Sequence, residues 1–269
     1  MRRLISCLLP CVLGIAAFGA GPDRNWWPLD AENTLVVDTT KGRIVIEMRP
    51  DFAPRSVERV KLLSREKVYD GLLFHRVIDG FVDQTGNPNN HDGGVSSHPN
   101  LPPEFTFTLQ QAQIDAVAKH ASDGITGFVG ATPFAAGHAA QPGAWRAWGV
   151  YCEGVVGMGR QADINTANSE IFFMRAASRR LDHDYSVWGR VVQGLDVVRA
   201  INVGEPPAQP DKMLRVRVMA DLPVSERPKL EVIDTRSAAF QADIQALRQQ
   251  KGADFTLCDV PIATRPTAD

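Results

Sequence analysis

Residues 74–86 read FHRVIDGFVDQTG. This short run holds one guanidinium (Arg76), one carboxamide (Gln84) and two aromatic rings (Phe74, Phe81), and Asp79-Gly80 divides it in the middle. Asp-Gly between two apolar runs is hairpin chemistry, because glycine takes the positive φ that a tight turn needs. The expected geometry is a strand, a turn and a second short strand that aim Arg76, Phe81 and Gln84 at one surface. On strict alternation Arg76 shares a face with Phe74 and Ile78, and His75 faces the other way. Arginine keeps its charge and presents planar, directed donors, which lysine cannot copy. A fixed cation beside an apolar aromatic wall can polarise a ligand's polar group while the wall grips its apolar part. By residue type alone Arg76 reads as an ordinary wet-face arginine, so the elements around it have to decide.

Those elements are mostly short strands. TLVVDTTKGRIVIEMRP (34–50) reads as two strands around Thr40-Lys41-Gly42, with Ile44, Ile46 and Met48 alternating against Arg43 and Glu47. The spacing of Val57, Val60 and Leu63 after Pro54 predicts a helix that ends near Tyr69-Asp70-Gly71. A loop rich in Gly, Asn, Pro and His follows over 85–103, then a strand in LPPEFTFTL. From 110 to 153 the pattern weakens to a helix over 110–120 and a stretch without period. GVVGMG, EIFFM and YSVWGRVV read as strands, LDVVRAI as a short helix and MLRVRVM as a closing strand. Many short strands with two helices argue for an antiparallel barrel with helical caps. Beyond residue 220, TRSAAFQADIQALRQQKG predicts a helix with Phe240, Ile244 and Leu247 on one face and Gly252 as its stop, and DFTLCDV a last strand. Trp26 and Trp27 are expected to pack on the barrel.

The 269 residues carry a formal net charge of −2, with 44% hydrophobic and 22% charged, so no charge excess points to nucleic acid or an anionic membrane. The first twenty residues combine Arg2-Arg3, an apolar stretch over 4–18 and small residues over 16–21, the pattern of a secretory signal peptide cleaved between 17 and 21. An uncleaved N-terminal anchor is the alternative. Cleavage removes Cys7 and Cys11 and leaves Cys152 and Cys258 in an oxidising setting. Either one disulfide or two buried thiols satisfies that pair, since sequence does not place their Cα atoms. GVVGMG lacks the spacing of a phosphate loop, and His91, Asp92 and His98 lack zinc-ligand spacing, so no metal is expected. Asp182, His183 and Asp184 have no nucleophile elbow to serve.

Taken in order, YDGLLFHRVIDGFVDQTG, LPPEF, GVVGMGR, NSEIFFM and LDHDYSVWGRVVQGLDVVRAI resemble the cyclophilin family of peptidyl-prolyl cis-trans isomerases. The resemblance runs from about 34 to 219, interrupted over 110–153. It implies a mainly β fold: a closed antiparallel eight-stranded barrel capped by two helices, here with a long insertion and a C-terminal helical extension. It implies a cofactor-free isomerase of X-Pro bonds whose partners are proline-containing polypeptides, with Arg76 as the catalytic residue. Phe81, Val82, Phe173 and Leu181 match the proline pocket, and Gln84 matches a residue that binds the substrate backbone and orients the arginine. The remaining groove positions fall on Gly159, Arg160, Ile171 and Tyr185, and Arg180 stands where a tryptophan contributes to cyclosporin binding, which implies weak sensitivity. An exported bacterial branch fits the signal pattern: residues 1–20 signal, 21–33 lead, 34–220 isomerase domain and 221–269 extension, a periplasmic monomer without stable membrane insertion that assists folding. A peptide-binding chaperone or scaffold with little turnover is the rival reading, favoured by Ile171 and by the insertion near Arg160.

Overall fold

The computed structural model describes residues 25–91, 94–121, 124–138 and 143–267. The segment read as a signal peptide, with Cys7 and Cys11, lies outside the described residues, as does Asp92. After β1 (Trp26–Pro28), the hairpin of β2 (Thr34–Thr39) and β3 (Gly42–Met48) turns where expected. Thr39 Oγ1 accepts from the Lys41 and Gly42 amides and fixes that turn. Helix α1 (Pro54–Arg65) starts on a proline, whose missing N–H costs nothing there. The Glu104 carboxylate accepts from the Arg55 and Ser56 amides, both at 2.9 Å, and so supplies the anion that the helix start favours. The helix stops at Arg65, short of the expected Tyr69-Gly71, because Lys67 takes a left-handed φ of 61°.

The chain continues through β4 (Arg76–Ile78), β5 (Val82–Thr85), β6 (Phe107–Gln110), β7 (Ala116–Ala121), β8 (Gly124–Val129), β9 (Thr132–His138) and β10 (Ala144–Gly149). Then come β11 (Val155–Met158), β12 (Ile171–Met174), β13 (Val187–Gln193), helix α2 (Leu195–Ala200), β14 (Met213–Val218), β15 (Leu230–Ile233), helix α3 (Ala238–Lys251) and β16 (Thr264–Pro266). They form three antiparallel sheets. The eight-stranded one runs β14-β2-β3-β13-β11-β12-β5-β4.

That sheet curves into an open half-barrel, not the closed barrel expected. Its edge strands β14 and β4 share no ladder, and a single bridge, Leu73 to Lys212, spans the gap. The chemistry of the gap explains this. The free edge of β4 pairs with Gly204 through Val77, and the segment after it, Glu205-Pro206-Pro207-Ala208-Gln209-Pro210, has three prolines with no N–H to continue a ladder.

The predicted helix over 110–120 is also corrected. Residues 111–113 make one 3-10 turn and Ala116–Ala121 is strand, because its alternation pairs with β8. The insertion is a five-stranded sheet, β6-β10-β9-β8-β7. In the extension α3 forms as expected, with Ser237 Oγ accepting from the Phe240 amide and Gly252 at φ 57°. DFTLCDV is not a strand: it runs from the end of one 3-10 turn (Gly252–Asp254) into a second (Leu257–Asp259), and the terminal strand is β16, which joins β1 and β15 in a third sheet. Trp27 stays half exposed, with the Arg236 guanidinium 5.0 Å from its ring centre.

Two cores result. One lies inside the half-barrel, where Leu35, Ile46, Phe74, Phe173 and Trp188 meet Val57 and Leu63 of α1 and Val198 of α2. The other lies on the outer face and joins Phe172 and Met174 to Phe128 and Phe134 of the insertion and to Phe240 and Ile244 of the extension. Phe128 and Phe240 meet edge to face at 5.4 Å, and a Cys152–Cys258 disulfide with Cα atoms 5.0 Å apart ties the extension to the start of β11. Among the described residues no helix is long and apolar enough to cross a membrane.

Candidate active site

The hairpin of β4 and β5 is built by Gly80, which takes φ 63° while the Phe81 amide donates to the Ile78 carbonyl at 3.0 Å. In the ladder Arg76 lies opposite Gln84, which puts both side chains on the outer face. Arg76 Nη1 donates to Gln84 Oε1 at 3.1 Å, and Gln84 Nε2 donates to Glu170 Oε1. Arg76 Nε donates to Glu205 Oε2 at 2.8 Å. The expected shared face of Phe74 and Arg76 does not hold. Phe74 precedes the strand and is buried in the inner core beside Phe173, so alternation begins only at Arg76.

Strand β12 sets the opposite wall. Phe172 pairs with Gln84 and Phe173 with Asp83. Directly opposed residues point to the same face, so Phe172 joins Gln84 on the outer face of the sheet, buried beneath the cleft, and Phe173 turns inward. Ile171 and Phe173 are both fully buried in the inner core. Neither reaches the cleft, contrary to the expectation from the sequence; Glu170 and Phe172 stand there instead. Two glycines make room for them. A Cβ on Gly157 would strike the Phe172 ring, and one on Gly159 would strike the Glu170 carboxylate.

The third wall is the loop 178–185. It is held from behind by the Tyr151 amide, which donates to Asp182 Oδ1 at 3.1 Å, and by the Trp148 ring of the insertion, 4.0 Å from His183. It presents Leu181 and Tyr185 to the cleft, and lays the Arg180 guanidinium 4.4 Å from the centre of Phe81. Arg160 lies 4.5 Å from the centre of Tyr185. The result is an open cleft of about 530 Å³ that brings together Arg76, Phe81, Val82, Gln84, Gly159 and Arg160 with Leu181 and Tyr185. Of the site residues expected from the sequence, only Ile171 and Phe173 are missing from its lining.

Residues 34–218 match the family model described as cyclophilin type peptidyl-prolyl cis-trans isomerase/CLD. A probable peptidyl-prolyl cis-trans isomerase of Brucella suis is 32% identical over 228 residues, 78% of this chain and 95% of that protein. A peptidyl-prolyl cis-trans isomerase of Schizosaccharomyces pombe is 26% identical, over 66% of this chain and 94% of its own. The crystal structure of a cyclophilin from Hirschia baltica superposes with a TM-score of 0.81 at 30% identity, covering 91% of this chain and 95% of that one. The chain belongs to the cyclophilin family.

In a cyclophilin cleft the barrier to be lowered is rotation about the X-Pro amide, roughly 18–20 kcal/mol because the C–N bond has partial double-bond character. No covalent bond need form. An aimed cation can favour the pyramidal prolyl nitrogen over the planar amide, and an apolar pocket can hold the ring while the chain turns. Arg76 supplies a directed guanidinium, and Phe81, Val82, Phe172 and Leu181 supply an apolar wall.

Behind this cyclophilin cleft lies a buried ion pair that the sequence did not point to. Asp83, between Val82 and Gln84 on β5, faces inward and accepts from Arg175 Nη1 at 2.9 Å. Arg175 also donates to the carbonyls of Val198, Arg199 and Ile201 at the end of α2. Burial pushes the Asp83 carboxyl up to about 7, against the pull of Arg175. The pair pins the cleft strand to the helical cap. Glu205 was missed too; its signal is an acidic residue opening a proline-rich loop, and only the fold brings that loop to Arg76.

Proposed function

We propose that the chain isomerises X-Pro bonds in extended segments of exported proteins, with Arg76 as the catalytic cation and Phe81, Val82, Phe172 and Leu181 as the proline pocket. Gln84 grips the substrate backbone and, through its bonds to Arg76 and Glu170, holds the guanidinium in one orientation. The observation that carries this reading is the Arg76–Gln84 pair, fixed by ladder register beside the Phe81 ring. In this reading residues 34–220 form the catalytic domain, and the 110–153 insertion and the 221–269 extension brace its cleft from outside. The Cys152–Cys258 bond supports an oxidising compartment.

The rival reading, a peptide-binding module with little turnover, rested on Ile171 as a defect in the groove and on the insertion near Arg160. Ile171 is buried behind the cleft, and the polar position beside Gln84 belongs to Glu170. Magnetisation-exchange NMR on short X-Pro peptides tests the isomerase reading. Wild type should speed exchange far beyond the uncatalysed tens to hundreds of seconds and shift the amide signals of Phe81, Gln84 and Phe172. Folded protein that binds the peptides without acceleration would return the case to the rival.

A further inference from the structure

Among the described residues, three guanidinium groups, those of Arg76, Arg160 and Arg180, line the cleft, against one lining carboxylate, Glu170. This local excess sits on a chain whose formal net charge is −2. The protein answers two of these charges itself. Arg76 is paired with Glu205, and Glu170 turns its oxygens to Gln84 and, at 3.8 Å, to His75. Arg160 and Arg180 differ. Among the described residues neither has a carboxylate within ion-pair distance. Arg160 donates through Nε to the Asp184 carbonyl at 3.0 Å and through Nη1 to the Gln161 and Ala162 carbonyls, which leaves Nη2 without an acceptor among the described residues. The Arg180 guanidinium has no hydrogen-bond acceptor among them either and rests on the Phe81 face.

Both arginines are therefore oriented but not neutralised. Stacking on Phe81 and on Tyr185 restricts each long side chain, so less freedom is lost when a ligand anion arrives. A guanidinium offers two parallel donors that match a carboxylate. Phe81 is also a wall of the proposed proline pocket, so an anion on Arg180 belongs to a residue next to the proline and not to a distant one.

We propose that the cleft selects X-Pro segments carrying a carboxylate side chain beside the proline, and that Arg160 and Arg180 read it. The proposal rests on the isomerase reading above. Arg180 is the cleaner reporter, since its guanidinium holds no other part of the described chain; Arg160 also anchors the loop at 161–162.

The test measures kcat/KM by NMR exchange for matched peptides with Glu, Gln or Lys before or after the proline. Wild type, Arg180→Gln, Arg180→Lys and the double variant Arg160→Gln/Arg180→Gln are compared at low and high salt. The Glu peptide should exceed its Gln isostere by roughly two- to fivefold for each exposed pair engaged. That ratio should shrink at high salt, fall in Arg180→Gln, persist in Arg180→Lys and vanish in the double variant. A wild-type ratio at or below one at low salt, or a ratio the double variant leaves intact, overturns the proposal while the isomerase reading stands. If no peptide is accelerated, the isomerase reading fails separately, and dissociation constants of the same peptides decide the charge preference: a Glu preference lost in the double variant upholds it, and equal values overturn it.

Discussion

At the scale of single residues the cleft depends on a relay of side chains, Arg76 to Gln84 to Glu170. A carboxylate can only accept, so Glu170 takes the NH2 end of the Gln84 carboxamide, whose oxygen is thereby turned toward Arg76. Phe172 flanks the relay, and Phe173, one residue on, lies in the other core. The two phenylalanines should separate when replaced. Phe173→Ala should cost about 3–5 kcal/mol of stability, measured by urea unfolding. Phe172→Ala, which also takes a ring from the outer core, should in addition lower kcat/KM of the folded enzyme by roughly tenfold or more, since a ring-sized apolar contact is worth about 1.5–3 kcal/mol. The reverse pattern would contradict the assigned faces. Arg76, Phe81 and Gln84 were legible in the sequence because one Asp-Gly hairpin carries all three within a few residues. The phase of β12 was not, because Ile-Phe-Phe-Met is apolar on both faces and only its pairing with β5 decides which ring looks outward.

At the scale of elements, the insertion was legible as an interruption but not as a sheet. Residues 116–121, AVAKHA, fit a short helix as well as a strand when read alone, and alternation gains meaning only from the partner β8. The open edge of the half-barrel has a similar origin: the prolines at 206, 207 and 210 were visible, but not the strand that they would face. The extension is held by α3 against β7 and by the Cys152–Cys258 bond. The bond closes a loop between residues 106 apart in sequence. Cys258→Ser should lower stability by roughly 2–4 kcal/mol in chemical denaturation under non-reducing conditions. It should also raise hydrogen exchange in α3 before the half-barrel. Unchanged stability would mean that the outer core alone holds the extension.

At the scale of the whole molecule, stability should fall on both sides of mildly acid pH. Burial raises the Asp83 carboxyl to about 7 and raises that of Glu47, which accepts from the Ala131 amide at the tip of the β8–β9 hairpin. A raised carboxyl contributes stability that is present below the unfolded value of about 4 and lost as pH rises through the folded one. The hydrogen bond from Arg65 lowers Glu32 and that from Lys251 lowers Asp259, so these two contribute stability above about pH 4 that is lost in acid. Urea midpoints should therefore be highest near the unfolded carboxyl value of about 4 and decline as pH rises to about 7. Asp83→Asn should flatten the alkaline decline. A midpoint that rises steadily from pH 5 to 8 would contradict the inward placement of Asp83.

In the proposed function Arg76 acts on the twisted amide and not on binding. The direct measurement is exchange rate and affinity for one X-Pro peptide, in wild type and Arg76→Ala, by NMR exchange and titration. Loss of one aimed donor in such a site costs roughly 10²–10³ in rate. A loss on that scale is expected in Arg76→Ala, with a dissociation constant close to wild type. Retained turnover in folded Arg76→Ala, or a rate that falls only in step with weakened binding, would contradict it.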